Sequence, residues 1–399
     1  MKNKKLLIFL ISNFLFSVSS NLVHPVTPTL IVERGLNSSM FGVAFAAMMF
    51  MYFLFSPFWG KLCNYLPSRK VFLIAAVGYA IGQVIFCMAY TEAMVIAGRM
   101  FGGIFCGGAY TAIMNQVVNT SGYDMKSCSK NLTTLATVQS VASACGYFIG
   151  GMLGLISVET AFIAAILLNI GVGAMVLLLW EDDTPYKVKP AGRLTFSQVN
   201  PFNAFADAKS FMTPLLFLVF ALIAVSFLGQ YSYEQCFNYY IKDQYGMTSA
   251  YNGVFKAVIA LLSLVLNTTV CTYLQQKTDI NKTFLYVMFA VTGLTLCALI
   301  LKDKWMFIGV YIAFNSADVL RKPLLQSLAA RQASPETSNS IMGFYQSMLS
   351  FGSIFGSFVA GVVYSKNPLM PFILAFIAFS VATVIGIIYR VMYVKMARN

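Results

Sequence analysis

The chain is short of charge. Asp, Glu, Lys and Arg make up 10% of its residues, with only 14 acidic side chains, while 58% of residues are hydrophobic. Soluble domains carry roughly a quarter charged residues, so a soluble enzyme is excluded. It is also short of metal ligands: there is one histidine, His24, and the eight cysteines are scattered with no Cys-x-x-Cys pair. Zinc sites, iron–sulfur clusters and disulfide scaffolds are therefore not expected, and no cofactor is. Nothing reads Gly-x-x-x-x-Gly-Lys-Ser/Thr, so ATP is not the expected energy source. A cleavable signal is not evident either. Lys2, Lys4 and Lys5 precede an apolar run too long for a signal core, and no small-residue cleavage site follows it.

In place of these the chain has one apolar run after another, with a mean hydropathy of +0.73. At about 20 apolar residues per span plus short connections, 399 residues accommodate on the order of a dozen membrane helices. Reading the runs against loop signals predicts twelve, at about 6–31, 41–60, 71–90, 94–118, 131–154, 159–180, 211–240, 250–273, 283–301, 305–328, 339–363 and 369–393. An all-α membrane protein follows. The net charge of +13 would suit a nucleic-acid partner if the basic residues shared one face. They lie instead in the N-tail, in alternate short loops and in the C-tail, among them Lys4, Arg69, Lys70, Lys187, Arg193 and Lys395. That bias places both termini in the cytoplasm, with the bilayer and no nucleic acid as the partner.

The longest hydrophilic stretch, Glu181 to Ser210, divides the chain into a six-helix bundle at 1–180, a cytoplasmic linker at 181–210 and a second six-helix bundle at 211–399. Shifting the second half back by 211 positions lays Gly246 on Gly35, Ser249 on Ser38, Gly253 on Gly42, Val254 on Val43 and Ala257 on Ala46. Parallel repeats of this kind put a transport site between the halves, near the bilayer midplane.

Several motifs resemble a known family. After the second span, Gly60 to Lys70 (GKLCNYLPSRK) resembles the glycine, acidic and basic loop signature of the major facilitator superfamily. Asn64 stands where Asp is usual, Tyr65 where a basic residue is usual and Pro67 where Gly is usual. Arg99, followed by Gly102 and Gly103, resembles the family's intramembrane arginine motif. The run Gly146 to Gly151 is similar to its antiporter signature, with Tyr147 replacing the proline. Pro25 and Pro28, Ser56 to Phe58, Tyr233-Glu234, and Phe314 to Pro323 together resemble the quinolone and multidrug exporters of the twelve-helix drug:proton antiporter family. The resemblance implies the major facilitator fold, two pseudo-symmetric bundles that rock about a central site. It assigns Gly60, Arg69, Lys70, Gly146, Gly150 and Gly151 to conformational motifs.

Two carboxylates, Glu234 and Asp318, fall well inside predicted spans. Counting 1.5 Å per residue from Trp305 places Asp318 about 20 Å deep in a hydrocarbon slab about 30 Å thick. A desolvated carboxyl can hold a proton near neutral pH and release it to water or a cationic ligand, so both are candidates for proton coupling. For Asp318 the alternative is a permanent pair with Arg321 one turn away. Arg99 either tunes a carboxylate or bonds nearby backbone carbonyls. Lys256, in the eighth span, is a partner for a carboxylate, a ligand for anions, or a lysine reaching to the interface. By the resemblance, Tyr52, Phe237, Tyr240, Phe314 and Tyr345 line an apolar substrate site, with Ser17, Ser20 and Ser140 in place of bulkier groups. His24 could titrate, or bond carbonyls freed by Pro25. The expected protein is a bacterial cell-membrane exporter, monomeric, moving an amphipathic small molecule outward against protons. An exporter of an anionic metabolite or lipid, and a non-transporting receptor on the same fold, are the alternatives.

Overall fold

The computed structural model describes residues 3–36, 40–121, 125–187, 200–247, 249–301, 303–364 and 366–396. Among these residues all regular structure is helical. The first half holds α1 (Asn3–Leu22), α2 (Thr27–Glu33), α3 (Met40–Tyr65), α4 (Ser68–Cys87), α5 (Glu92–Thr120), α6 (Met125–Gly154) and α7 (Val158–Leu179). A short α8 (Pro201–Ala206) precedes α9 (Pro214–Asp243), α10 (Ser249–Leu266), α11 (Thr272–Lys277), α12 (Ile280–Ile300), α13 (Lys304–Arg331), α14 (Ser338–Tyr364) and α15 (Met370–Met396). A π-helical turn, Asn267–Cys271, joins α10 to α11, so the two form one span.

Polar side chains mark where the helices start. Thr91 caps α5, Ser157 caps α7 and Thr213 caps α9, each accepting an N–H from the first turn. Asp279 and Asp303 do the same for α12 and α13. Each cap satisfies a backbone donor that the helix itself leaves open. Eleven described helical segments are long and apolar enough to cross a bilayer. The twelfth span is α13, whose 28 residues include Asp318, Arg321 and Lys322. The first predicted span is two helices rather than one, because the chain turns at Val23–Val26, where Pro25 cannot donate to a helical ladder. Bulky apolar side chains on the helices, such as Leu178 and Phe148, remain more than two-thirds exposed, as bilayer-facing helix surfaces require.

The described chain forms two compact units. One comprises 1–124, 138–211 and 333–347; the other comprises 125–137, 212–332 and 348–399. These units cut differently from the sequence division: the first turns of α6 group with the second half of the chain, and the start of α14 groups with the first half. In the first unit, Phe9 and Phe72 pack on Trp180, and Phe16 packs on Phe72 and Tyr79. At one end of this unit Lys5 binds Glu181 at 2.8 Å and Arg69 binds Asp182 at 2.6 Å. The Lys5 hydrogen bond holds the Glu181 carboxyl below its usual range; bonding to Thr184 and then the Arg69 charge do so for Asp182.

The repeat inferred from sequence has a conformational counterpart. Gly35 and Gly246 are the described residues with positive φ, at 63° and 62°. After each, the next residue turns its N–H back on the preceding helix, Leu36 to the Ile31 carbonyl and Met247 to the Ile241 carbonyl, both at 3.0 Å. A Cβ at either position would meet nothing within 4 Å, so glycine is required there for its backbone freedom and not for space. Alanine at Gly35 or Gly246 should cost about 1–2 kcal/mol, and asparagine less. Thermal unfolding of the purified protein in detergent micelles checks both.

Candidate functional site

In the second unit the membrane carboxylates sit where α9 and α13 meet. Asp318 is 2% exposed and Arg321 1%. Arg321 Nε donates to Asp318 Oδ1 at 2.6 Å, and its two terminal nitrogens donate to Ser226 Oγ at 2.7 Å and Gln230 Oε1 at 2.8 Å. Ser226 and Gln230 are four apart on α9 and so share the face that meets α13. The guanidinium also stacks over the Phe227 ring, 4.6 Å from its centroid, and lies 5.7 Å from that of Phe379. Lys322 Nζ stands 3.8 Å from the other Asp318 oxygen. Of the two readings of Asp318, this geometry is the ion pair.

Glu234 lies one further turn along α9 from Gln230 and is half-buried. It has no ion pair among the described residues. Around it stands an aromatic cluster. Phe237 stacks face to face on Tyr311 with centroids 3.4 Å apart, and Tyr233 lies 4.3 Å from Phe314. Tyr240 packs edge-on against Phe372 and tilted against Phe307. Phe237 and Phe314 are fully buried here, so they are packed core in this structure, while Tyr240 keeps some exposure. The Tyr233 hydroxyl is buried without a hydrogen-bond partner among the described residues.

The first unit holds Arg99 on α5, 6% exposed. Its guanidinium donates to Thr27 Oγ1 at 2.9 Å, meets Met48 Sδ at 3.6 Å and stacks 4.1 Å over the Phe86 ring. Among the described residues no carboxylate pairs with it, and its Nε is unsatisfied. The Tyr52 hydroxyl donates to Gln346 Oε1 at 3.0 Å, and Gln346 in turn reaches Met114 Sδ. Ser20 bonds the Tyr110 hydroxyl at 3.1 Å. Tyr345 is buried and Ser140 is half-buried. His24 stacks on Tyr147, centroids 5.7 Å apart.

The motif glycines are sites of close approach. A Cβ at Gly146 would come within 2.6 Å of the Val18 carbonyl, one at Gly150 would strike the Leu22 carbonyl, and one at Gly60 would come within 2.6 Å of the Asn339 carbonyl. Gly151 has open space beside it. Arg69 is tied to Asp182, and Lys70 is exposed. Lys256 falls within α10, but its side chain lies outside the described residues. The structure thus brings Phe237, Tyr240 and Phe314 into one aromatic cluster, places Glu234 on the helix that carries the first two, and pairs Asp318 with Arg321. It adds Ser226, Gln230 and Gln346, which the sequence reading passed over. Their signal was present: an amide or hydroxyl inside an apolar run is costly unless it has a partner.

A sequence profile of the Major Facilitator Superfamily matches residues 9–356. The chain belongs to this superfamily. It is a membrane transporter, as the members it resembles are, and not an enzyme. It is 23% identical over 378 residues to the quinolone resistance protein NorA of Staphylococcus aureus (strain COL), covering 94% of this chain and 93% of NorA. It is 25% identical over 377 residues to the class C tetracycline resistance protein of Escherichia coli, covering 92% and 91%. With multidrug resistance protein 2 of Bacillus subtilis (strain 168) it shares 21% over 380 residues, covering 94% and 92%. Among solved structures, the human organic anion transporter MFSD10 (TETRAN) superposes with a TM-score of 0.79 at 16% identity, over 97% of this chain and 100% of that one. A bacterial homologue of the iron transporter ferroportin, in its outward-facing state, gives 0.74 at 13%, over 96% and 99%. These likenesses establish the fold.

Removing one member of the buried pair leaves the other charge without compensation. Asp318→Asn and Arg321→Met should each destabilise the protein by about 3–5 kcal/mol, and the double variant by much less than their sum. A double-mutant cycle on thermal unfolding in micelles reads this directly.

Proposed function

We propose that the chain is a proton-coupled exporter of amphipathic small molecules, set in a bacterial cell membrane with both termini in the cytoplasm. The observation that carries this reading is Glu234, a half-buried membrane carboxylate with no ion pair among the described residues, set beside an aromatic cluster. A carboxylate in that setting is costly when ionised and inexpensive when protonated. Binding a lipophilic cation beside the rings offsets the negative charge in the proton's place. Proton and substrate then exclude each other at Glu234, and that exclusion is the basis of antiport.

Each proton moving inward supplies about 2.3 kcal/mol per 100 mV of membrane potential, plus the pH gradient. Asp318 takes a supporting part, because its charge is already neutralised by Arg321. The resistance proteins named above are the comparisons in keeping with export, and the basic residues of the N-tail and alternate loops support the orientation. The second reading, export of an anion, is favoured by Arg99, which is buried with no carboxylate partner among the described residues.

Proteoliposomes holding a trapped pH dye, challenged with lipophilic cations, fluoroquinolones and amphipathic anions, test both readings. Cations should drive proton movement in the wild type, and Glu234→Gln should lower it at least about tenfold while leaving the melting temperature near wild type. Proton movement unchanged in Glu234→Gln would overturn the coupling role. A response confined to anions, and lost in Arg99→Met, would favour the second reading.

A further inference from the structure

The turn between α3 and α4 holds no carboxylate of its own: Gly60 to Lys70 contains only neutral and basic residues. One is supplied from more than a hundred residues away. Asp183, at the start of the linker, is 0% exposed. Its Oδ1 accepts the backbone N–H of Ser68, the first residue of α4, at 2.9 Å. Its Oδ2 accepts the Ser68 hydroxyl, the Asn119 side-chain amide at 2.8 Å and the Lys187 ammonium at 2.9 Å. Pro67, which precedes α4, makes no side-chain cap, so Asp183 serves as one from outside the local sequence.

Lys187 completes the arrangement at the other helix. Its Nζ donates to the Cys63 carbonyl at 2.8 Å and the Leu66 carbonyl at 3.0 Å, acceptors at the end of α3. With Asp183 these use all three of its protons. A carboxylate therefore sits on the positive end of α4 and an ammonium on the negative end of α3, the favourable sign at each. The Cys63 carbonyl is shared, also accepting from Asn339 Nδ2 of α14 at 3.4 Å. Asn339 donates as well to Asn64 Oδ1 at 2.8 Å, and Gly343 of α14 packs on Gly60. The linker pair and the seam between α3 and α14 thus meet at one carbonyl, all within the first unit.

We propose that Asp183 and Lys187 are positioning residues for the transport cycle: from the linker they cap both helix ends at the α3–α4 turn and hold the end of α3 in register on the start of α14. The claim on turnover rests on the exporter reading; the claim on position does not.

The native Cys63, 0% exposed, reports position once the other seven cysteines are replaced in the full-length chain. Asp183→Asn and Lys187→Met should each raise its rate of labelling by fluorescein maleimide about tenfold, since each strands a buried charge beside it. In proteoliposomes both should lower ethidium turnover while leaving KM within about twofold, because the substrate contacts are untouched. The neutral double variant should recover most of the protection. The exchanged pair, Asp183→Lys with Lys187→Asp, should recover none, because it sets each charge on the wrong helix end. Full recovery by the exchanged pair would reduce the arrangement to an ordinary ion pair and overturn the proposal. So would wild-type labelling in both single variants. If Asp183→Asn does not accumulate in the membrane, Asp183→Glu is read by the same labelling, with an intermediate rate expected and a wild-type rate counting against the proposal. Labelling needs no substrate, so a chain that fails to move ethidium still decides the question of position.

Discussion

A guanidinium placed in hydrocarbon has to be satisfied by the protein around it, and Arg321 imposes that demand on three helices at once. Its donors take Asp318 from its own helix and Ser226 and Gln230 from α9, while its flat faces rest on Phe227 of α9 and Phe379 of α15. The contact is directional, so it fixes rotation as well as distance: α9 can present Ser226 and Gln230 to α13 in only one register. That register sets where Glu234, one turn further on, comes to lie. The position of the carboxylate proposed to carry the proton is therefore a consequence of how a neighbouring arginine is neutralised.

Arg99 answers the same demand differently. It bonds a hydroxyl and a thioether and lies against a phenylalanine ring, with one nitrogen unsatisfied among the described residues. The two buried arginines therefore differ: Arg321 is compensated by a carboxylate, whereas Arg99 has no such partner among the described residues. The carboxylates divide likewise, with Asp318 paired and Glu234 without an ion pair among the described residues. In each described unit one of these groups has no ion pair among the described residues.

Much of this was legible in the sequence, because the bilayer leaves a chain few choices. Long apolar runs, charge bias in the loops and the matched spacing around Gly35 and Gly246 lead to the spans and the repeat, and both glycines turn out to share one backbone conformation. Asp318 and Arg321 could be seen as an i, i+3 pair, but whether the pair forms depends on Ser226 and Gln230, which arrive from a helix nearly a hundred residues away. The break at His24-Pro25 lies inside a stretch that reads as the single span 6–31, where Pro25 is expected only to free helix carbonyls. Asp183 was the least legible of all: it reads as one acid in a polar linker, and only the fold shows that the α3–α4 turn has no acid of its own.

One detail of the repeat extends past the glycines. Moved back by the same 211 positions, the π-helical turn Asn267–Cys271 falls on Ser56–Gly60, the stretch of α3 that contains Pro57. A proline and a π turn are both ways of perturbing a helix at a chosen height, one by removing a donor and the other by inserting a residue. Each copy of the repeat therefore interrupts its helical hydrogen-bond ladder at the same register of its second span, one through the donor that Pro57 lacks and the other through a π turn. What the two copies share is the place of the interruption and not the residue that makes it. A comparison of side chains alone would score these positions as divergent.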